Sequence, residues 1–456
     1  MVTTYDLVGV GIGPFNLSLA ALCDGVPEVR ALFLDGKRAF SWHPGLLMEG
    51  TVLQVPFLAD LVTMADPTSP WSYLNYLRRH DRMFPFFFSE RFHIPRREYD
   101  HYCRWVAERL PSCRFDAQVT ALEWDEEAAA FAVTYRSAAG AVTRVLARKV
   151  VLGVGTEPVV PEPLRPLLAE AHAGRVLHSA GYRAHRDRLA AAPDVTVIGA
   201  GQSGAEVVLD LLRSGGPFVR WLARTPAFAP MEYSKIGLEH FTPDYIRYFR
   251  GLPEAERERL VREQWQLYKG VSSETLADIH DELYERTIGG AEPPAALHPG
   301  VEVVAAAVTT TGDAGGYTLT CRHSPQDAVF EIRTSAVVAA TGYAAARPAF
   351  LEPLSDLVDW DGKGRYQVDG GYRVALDPRV SGELYVQNAE MHTHGVGAPD
   401  LTLGAWRAAT ILNAVAGRTV LPVPERVAWT TFGSPSAPEA SGLPEPAAPR
   451  SVGSLR

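Results

Sequence analysis

Val195-Thr-Val-Ile-Gly-Ala-Gly-Gln-Ser-Gly204, followed by Ala205-Glu-Val-Val-Leu-Asp-Leu-Leu212, decides the fold class. A β-branched run enters a Gly-rich turn and apolar residues at helical spacing leave it, the pattern of a buried parallel strand feeding a helix. Gly199, Gly201 and Gly204 stand at GxGxxG spacing. The first permits a tight turn, the second lets backbone approach a pyrophosphate, and the third packs helix on strand. The pyrophosphate would rest on free N–H groups where Gln202 and Ser203 open the helix. Arg224 ends the strand-like Val219-Arg-Trp-Leu-Ala223. An acidic residue there would hold a ribose 2′-hydroxyl, whereas arginine suits a 2′-phosphate and favours NADPH over NADH. An ordinary surface arginine is the alternative.

A second turn of this kind lies near the start: Tyr5-Asp-Leu-Val-Gly-Val-Gly-Ile-Gly-Pro-Phe-Asn16, then Leu17-Ser-Leu-Ala-Ala-Leu22. Gly9, Gly11 and Gly13 are present, but Pro14 takes the third motif position. Asp35, after Ala31–Leu34, suits an adenosine ribose; a plain turn residue before Gly36 is the alternative. A nucleotide turn closed by proline fits FAD better than a mobile coenzyme. Val337-Val-Ala-Ala-Thr-Gly-Tyr343 runs an apolar strand into Thr341 and Gly342. Alone it is only a strand end; beside two nucleotide turns it looks like the linker strand of two-dinucleotide flavoproteins. Such a pair passes hydride from NADPH to a bound flavin. The four cysteines, at 23, 103, 113 and 321, form no CxxC, which argues against a disulfide reductase and against a zinc site. Reduced flavin without a dithiol meets oxygen, so a monooxygenase is the preferred branch.

Outward from these turns, the sequence predicts an α/β protein with two Rossmann-like domains. The FAD domain is expected at 1–190 and 335–432, split by an NADPH domain at 191–334 with a helical substrate region near 228–287. Loops and short helices are expected over 41–80, an amphipathic helix over 98–110, and alternating strands at 115–124, 130–136 and 142–152. Further strands are expected at 301–310, 316–322, 329–340 and 384–388, and a last helix from about 403 to 415. A Ser/Pro/Ala/Gly-rich tail from 433 to 456 is expected to be disordered. The 456 residues are 46% hydrophobic and 21% charged, enough for a sizeable core. A net charge of −9 argues against a nucleic-acid-coating protein. With no leader-like start and no 18-residue apolar run, the chain reads as a cytosolic globular protein.

The segments Gly9–Leu19, Phe40-Ser-Trp-His-Pro-Gly45, Leu53-Gln-Val-Pro-Phe-Leu-Ala-Asp-Leu61, Asp66-Pro-Thr-Ser-Pro-Trp-Ser-Tyr-Leu-Asn-Tyr-Leu77, Ala340-Thr-Gly-Tyr343 and Met391-His-Thr-His-Gly395 carry a resemblance. They resemble, in order from about residue 5 to 418, the flavin-dependent N-hydroxylating monooxygenases of siderophore biosynthesis, which act on lysine, ornithine or diamines. The resemblance implies FAD on the first turn, NADPH as reductant, NADP retained, and attack of a terminal amine on a flavin hydroperoxide to give a hydroxylamine. It places Gln54 beside flavin and substrate as the catalytic position. Asn16, Trp42 and His43 fall in its flavin-side motifs, and Leu401 and Thr402 in the loop over the isoalloxazine. Gln202, Ser203 and Arg224 match its NADPH side, and a homo-oligomer, dimer or tetramer, is implied by analogy.

One departure carries the substrate expectation. The amino-acid hydroxylases of that family read Phe-Leu-Lys-Asp-Leu, the lysine pairing with the substrate α-carboxylate; here Ala59 stands in its place. Leu238 and the pair Ser272–Ser273 occupy the approximate positions of the asparagines that help hold the amino-acid head. A buried carboxylate without a cation is costly, so a diamine is expected, cadaverine before putrescine, for a desferrioxamine-type hydroxamate. The alternative is that Arg247 or Lys269 has taken over and that L-lysine N6 or L-ornithine N5 is hydroxylated. Rivals outside the family are another flavin oxygenase or a flavin-free NADPH scaffold. No metal is expected: His392 and His394 lack an accompanying ligand cluster and suit a structural or flavin-loop role. Phe84–Phe88 reads as packing or an oligomer contact, and Glu254–Arg259 as a solvated helix face.

Overall fold

The computed structural model describes residues 2–169, 175–309 and 316–434. Two α/β units share the chain. In the first, Thr4–Val10 lies at the centre of a seven-stranded sheet, parallel to Ala31–Leu34 on one side and to Val142–Leu152 on the other. The eleven residues of Val142–Leu152 do two jobs: the early part pairs antiparallel with Ala130–Ser137, and the late part pairs parallel with Thr4–Val10 and Glu383–Val386. This is how the expected antiparallel layer joins a nucleotide-binding sheet.

The second sheet is wholly parallel, in the order Ala295–Pro299, Phe218–Ala223, Asp194–Ile198, Val337–Ala339, Val176–His178. The expected boundaries at 190 and 335 therefore shift, because strands at 176–178 and 337–339 both belong to the second unit. Each is three residues long and wholly buried, too short to show a period, so neither could be assigned to a sheet from its residues. A three-stranded antiparallel sheet, Val301–Thr309, Gly316–His323 and Ala328–Thr334, covers this unit through Val303, Leu319, Cys321 and Ile332.

The expected helical region divides between the two units. Pro243–Arg250, with Thr242 as N-cap accepting from the N–H of Tyr245, packs Tyr245 and Phe249 on Val396 near the end of the first unit. Ser273–Arg286 packs Leu276, Ile279 and Leu283 into the second core, against the helix Gln202–Ser214. Helix Met83–Ser89 packs half-buried Phe86 against Phe57 and Tyr73 but leaves Phe84, Phe87 and Phe88 exposed. In helix Glu254–Glu263, Glu254 and Glu258 pair with Lys363 and Arg365. No helix among the described residues is long and apolar enough to cross a membrane. Beyond residue 434 the expected tail lies outside the described residues.

Candidate active site

The first Gly-rich turn is shaped by close approach. A Cβ on Gly9 would lie 2.2 Å from the Phe33 ring; Gly11 has φ +87° and its Cβ would meet the Gly153 carbonyl at 2.5 Å. Gly13, the extended N-cap of helix Pro14–Cys23, has only one atom within 4 Å of such a Cβ, so the turn is open on that side. Pro14 occupies the first helical turn, where its missing N–H costs nothing. Asp35 accepts from the N–H of Ile12 (2.8 Å) and of Lys37 (2.8 Å), fixing the turn while each carboxylate oxygen keeps acceptor capacity.

The second turn follows the same rules. Gly199 has φ +132° and a Cβ there would sit 2.1 Å from the Ala340 carbonyl. On Gly204 it would sit 2.3 Å from the Gly199 carbonyl, which is the tight helix–strand contact expected of the third motif glycine. Gly201 is an extended N-cap without a side-chain cap, and Ser203 lies half-buried in the first turn. Trp221 braces the turn from below, donating its indole N–H to the Gly199 carbonyl at 2.8 Å. Arg224 follows strand Phe218–Ala223 with its side chain 80% exposed, and among the described residues its ion pair is to Glu302, long at 3.8 Å.

Groups from both units meet between the turns. The Tyr233 hydroxyl donates to Gln54 Oε1 (3.0 Å), while Gln54 Nε2 donates to the Val52 carbonyl (3.3 Å). Trp42, its N–H held by Asp100, packs edge-on to His43, and His43 meets Tyr343 at 5.6 Å between ring centroids. His43 keeps an exposed face, yet crowding by surrounding protein, with Arg96 and Lys37 adding, pushes it down to about 4. Thr341 donates to the Val159 carbonyl, and Gly342, at φ +86°, receives the N–H of Val159, so the two crossings of the chain are stitched here. Leu401 packs on the first core, and Thr402 gives its N–H to Asp400 in the turn Leu401–Leu403.

Several expected ligands have other employment. Asn16 is wholly buried: its amide N–H groups go to the carbonyls of Val10 (3.1 Å) and Gly11 (2.8 Å), and its oxygen accepts from Gln387 (2.8 Å). These bonds tie its side chain into the first sheet, while its oxygen keeps one acceptor site. Gln202 bonds Glu206 and Thr275 and accepts the N–H of Ser272, joining two helices. Ser272 is buried and its hydroxyl caps helix Ser273–Arg286, while Ser273 is exposed. Leu238 is partly exposed in the short turn Gly237–His240. Ala59 is 4% exposed beside Asp60, whose carboxylate takes the N–H groups of Val62, Thr63 and Tyr73. His392 and His394 sit in a helical turn, Met391–His394; His392 bonds the Tyr366 carbonyl and His394 stacks on Tyr372.

Two ion pairs escaped sequence reasoning. Arg96 Nη1 meets Glu206 Oε2 at 2.7 Å, and Arg407 Nη1 meets Glu390 Oε1 at 2.9 Å. Arg407 also donates to the Ala398 carbonyl (2.7 Å), pinning the loop that leads to Leu401. Read alone, each arginine belongs to an ordinary helix, and nothing local marks a distant carboxylate.

Two Gly-rich turns at the ends of two parallel strands, with polar side chains of both units meeting between them, define a two-nucleotide oxidoreductase. Residues 3–345 match the model of the L-lysine 6-monooxygenase/L-ornithine 5-monooxygenase family, and the chain belongs to that family. It is 43% identical to the rhizobactin siderophore biosynthesis protein of Rhizobium meliloti, covering 95% of this chain and 96% of that one. With the putrescine N-hydroxylase of Shewanella oneidensis the identity is 40%, over 97% and 87%. The FAD-bound crystal structure of the desferrioxamine-pathway cadaverine monooxygenase of Erwinia amylovora superposes with a TM-score of 0.90 at 37% identity, covering 95% of this chain and all of that one.

Proposed function

We propose that the chain hydroxylates the terminal primary amine of a diamine, cadaverine first and putrescine second, with bound FAD and with NADPH and O2 as co-substrates, in hydroxamate siderophore biosynthesis. The observation that carries the substrate is Ala59, standing where the family's amino-acid hydroxylases carry lysine. Of the two cations that could replace that lysine, Arg247 is held by Asp244 (3.3 Å) and the Glu425 carbonyl (2.6 Å), and exposed Lys269 lies over the ring of its neighbour Tyr268 (5.1 Å). Arg96, which bonds the carbonyl of Val52 close to Gln54, is committed to Glu206. Burial raises the Tyr233 hydroxyl, and Asp400 and Glu274 raise it further against Arg96.

The open side at Gly13, with Asp35 at the end of Ala31–Leu34, fits the adenosine and pyrophosphate of FAD; Gly201 and Arg224 fit NADPH. When bound, the flavin supplies the activated oxygen atom. The protein's part is to orient and to dry. Gln54, fixed at both ends of its amide, offers a set direction to a polar group at the junction. The reacting amine, near pKa 10.4 in water, must be neutral to attack, and enclosure lowers it in that direction. His43 is neutral at pH 7 and adds no competing positive charge. The test is purified protein mixed with NADPH, O2 and cadaverine: yellow protein and stoichiometric hydroxylamine are expected. Colourless protein that takes up no FAD, or amine-stimulated NADPH oxidation without hydroxylamine, would refute the reading.

A further inference from the structure

The Arg96–Glu206 pair crosses the junction of the two units. Arg96 begins the helix Arg96–Ala107, whose Tyr99, Tyr102, Cys103 and Val106 lie in the first core. Glu206 belongs to Gln202–Ser214, the helix that starts at the second Gly-rich turn. Their side chains are 11% and 4% exposed. Both ends are held again: Arg96 Nε donates to the Val52 carbonyl (3.1 Å), two residues before Gln54, and Glu206 Oε1 accepts from Gln202 (2.8 Å). Gln202 in turn accepts the N–H of Ser272 (2.7 Å). A continuous polar chain thus runs from the backbone beside Gln54 to the helix start that faces a pyrophosphate.

Desolvation largely offsets the Coulombic gain of a buried pair, so its net stabilisation over apolar residues is small. What it supplies is direction, because a guanidinium and a carboxylate meet in few geometries. The Tyr233–Gln54 bond and the His43–Tyr343 contact also span the junction, but neither sets charge against charge. We propose that Arg96 and Glu206 are positioning residues that dock the second nucleotide unit on the first at the separation hydride transfer requires. This rests on the flavoprotein reading above. A reacting group misplaced by about 1 Å costs on the order of 100-fold in rate, so a looser docking should appear first in flavin reduction.

The test compares wild type with Glu206→Gln and with the apolar pair Arg96→Met/Glu206→Leu. In holoenzyme without NADPH, hydrogen–deuterium exchange is expected to rise at 48–54 and 199–210 in both variants and to stay unchanged in the first sheet. Anaerobic reduction by NADPH is expected to slow tenfold or more, with flavin content and O2 reoxidation of dithionite-reduced enzyme unchanged. The apolar pair is expected to unfold at the wild-type denaturant concentration, so slow reduction in that variant reports position and not stability. Wild-type exchange with a wild-type reduction rate in the apolar pair would overturn the proposal, as would parallel loss of reduction and reoxidation. If wild-type protein holds no flavin, the function fails by that result, while the exchange comparison still decides whether the pair docks the units.

Discussion

Replacing Glu390 by Gln removes the negative half of an ion pair that is 0% exposed at Glu390 and 1% at Arg407. Shape is preserved and charge is not. Burial pushes the Glu390 carboxyl up, and Arg407 with local N–H groups opposes it. Arg407 keeps the Ala398 carbonyl and the faces of Phe15 and Tyr372, 4.6 and 5.3 Å from its guanidinium carbon. Those ring contacts exist in the wild type too, so they do not offset the loss. An unpaired buried guanidinium is expected to cost about 3–5 kcal/mol. With a urea m-value of about 3 kcal/mol/M, the unfolding midpoint falls by about 1–1.7 M, read by tryptophan fluorescence. The double variant Glu390→Leu/Arg407→Met removes both charges and should return to within about 1 kcal/mol of wild type. A single variant costing under about 1 kcal/mol, or a double no better than the single, would refute the reasoning.

Arg224→Ala should raise the KM for NADPH about 10- to 100-fold, the worth of a charge-assisted contact to a 2′-phosphate, and leave NADH nearly unaffected; equal effects on both coenzymes would remove that role. Stability should also fall in acid. His394 is buried and held well below its ordinary pKa, first by burial and then by Arg250, Arg407 and His392. Its contribution is complete above the unfolded value near 6.5 and is lost as pH falls, at up to about 1.4 kcal/mol per pH unit. Denaturant midpoints at pH 7.5, 6.5 and 5.5 should therefore drop more steeply in wild type than in His394→Asn, and equal slopes would contradict this.

Both nucleotide turns were legible because glycine's reasons are local: a positive φ at Gly11 and Gly199, a close carbonyl at Gly204. The strand at 337–339 was legible as an apolar run, but the sheet it joins was not, and Val176–His178 is too short to carry a period. The duties of Asn16, Gln202 and Ser272 depend on partners far along the chain, such as Gln387 for Asn16 and Thr275 for Gln202, and a resemblance of motifs cannot say where an amide's hydrogens go. Nothing in the sequence marked the partners of Arg96 and Arg407, because their carboxylates are adjacent to them only in the fold. Ala59 was legible as a missing cation, whereas the pairing of Arg247 with Asp244 shows only in the fold.

The most direct measurement is the ratio of kcat/KM for cadaverine to that for L-lysine, each followed as hydroxylamine formed with NADPH under air. A carboxylate brought into the junction without a cation loses at least about 3 kcal/mol, so cadaverine is expected to lead by about 100-fold or more. A ratio at or below unity would contradict the account, since it would mean that the site grips an acidic head group after all.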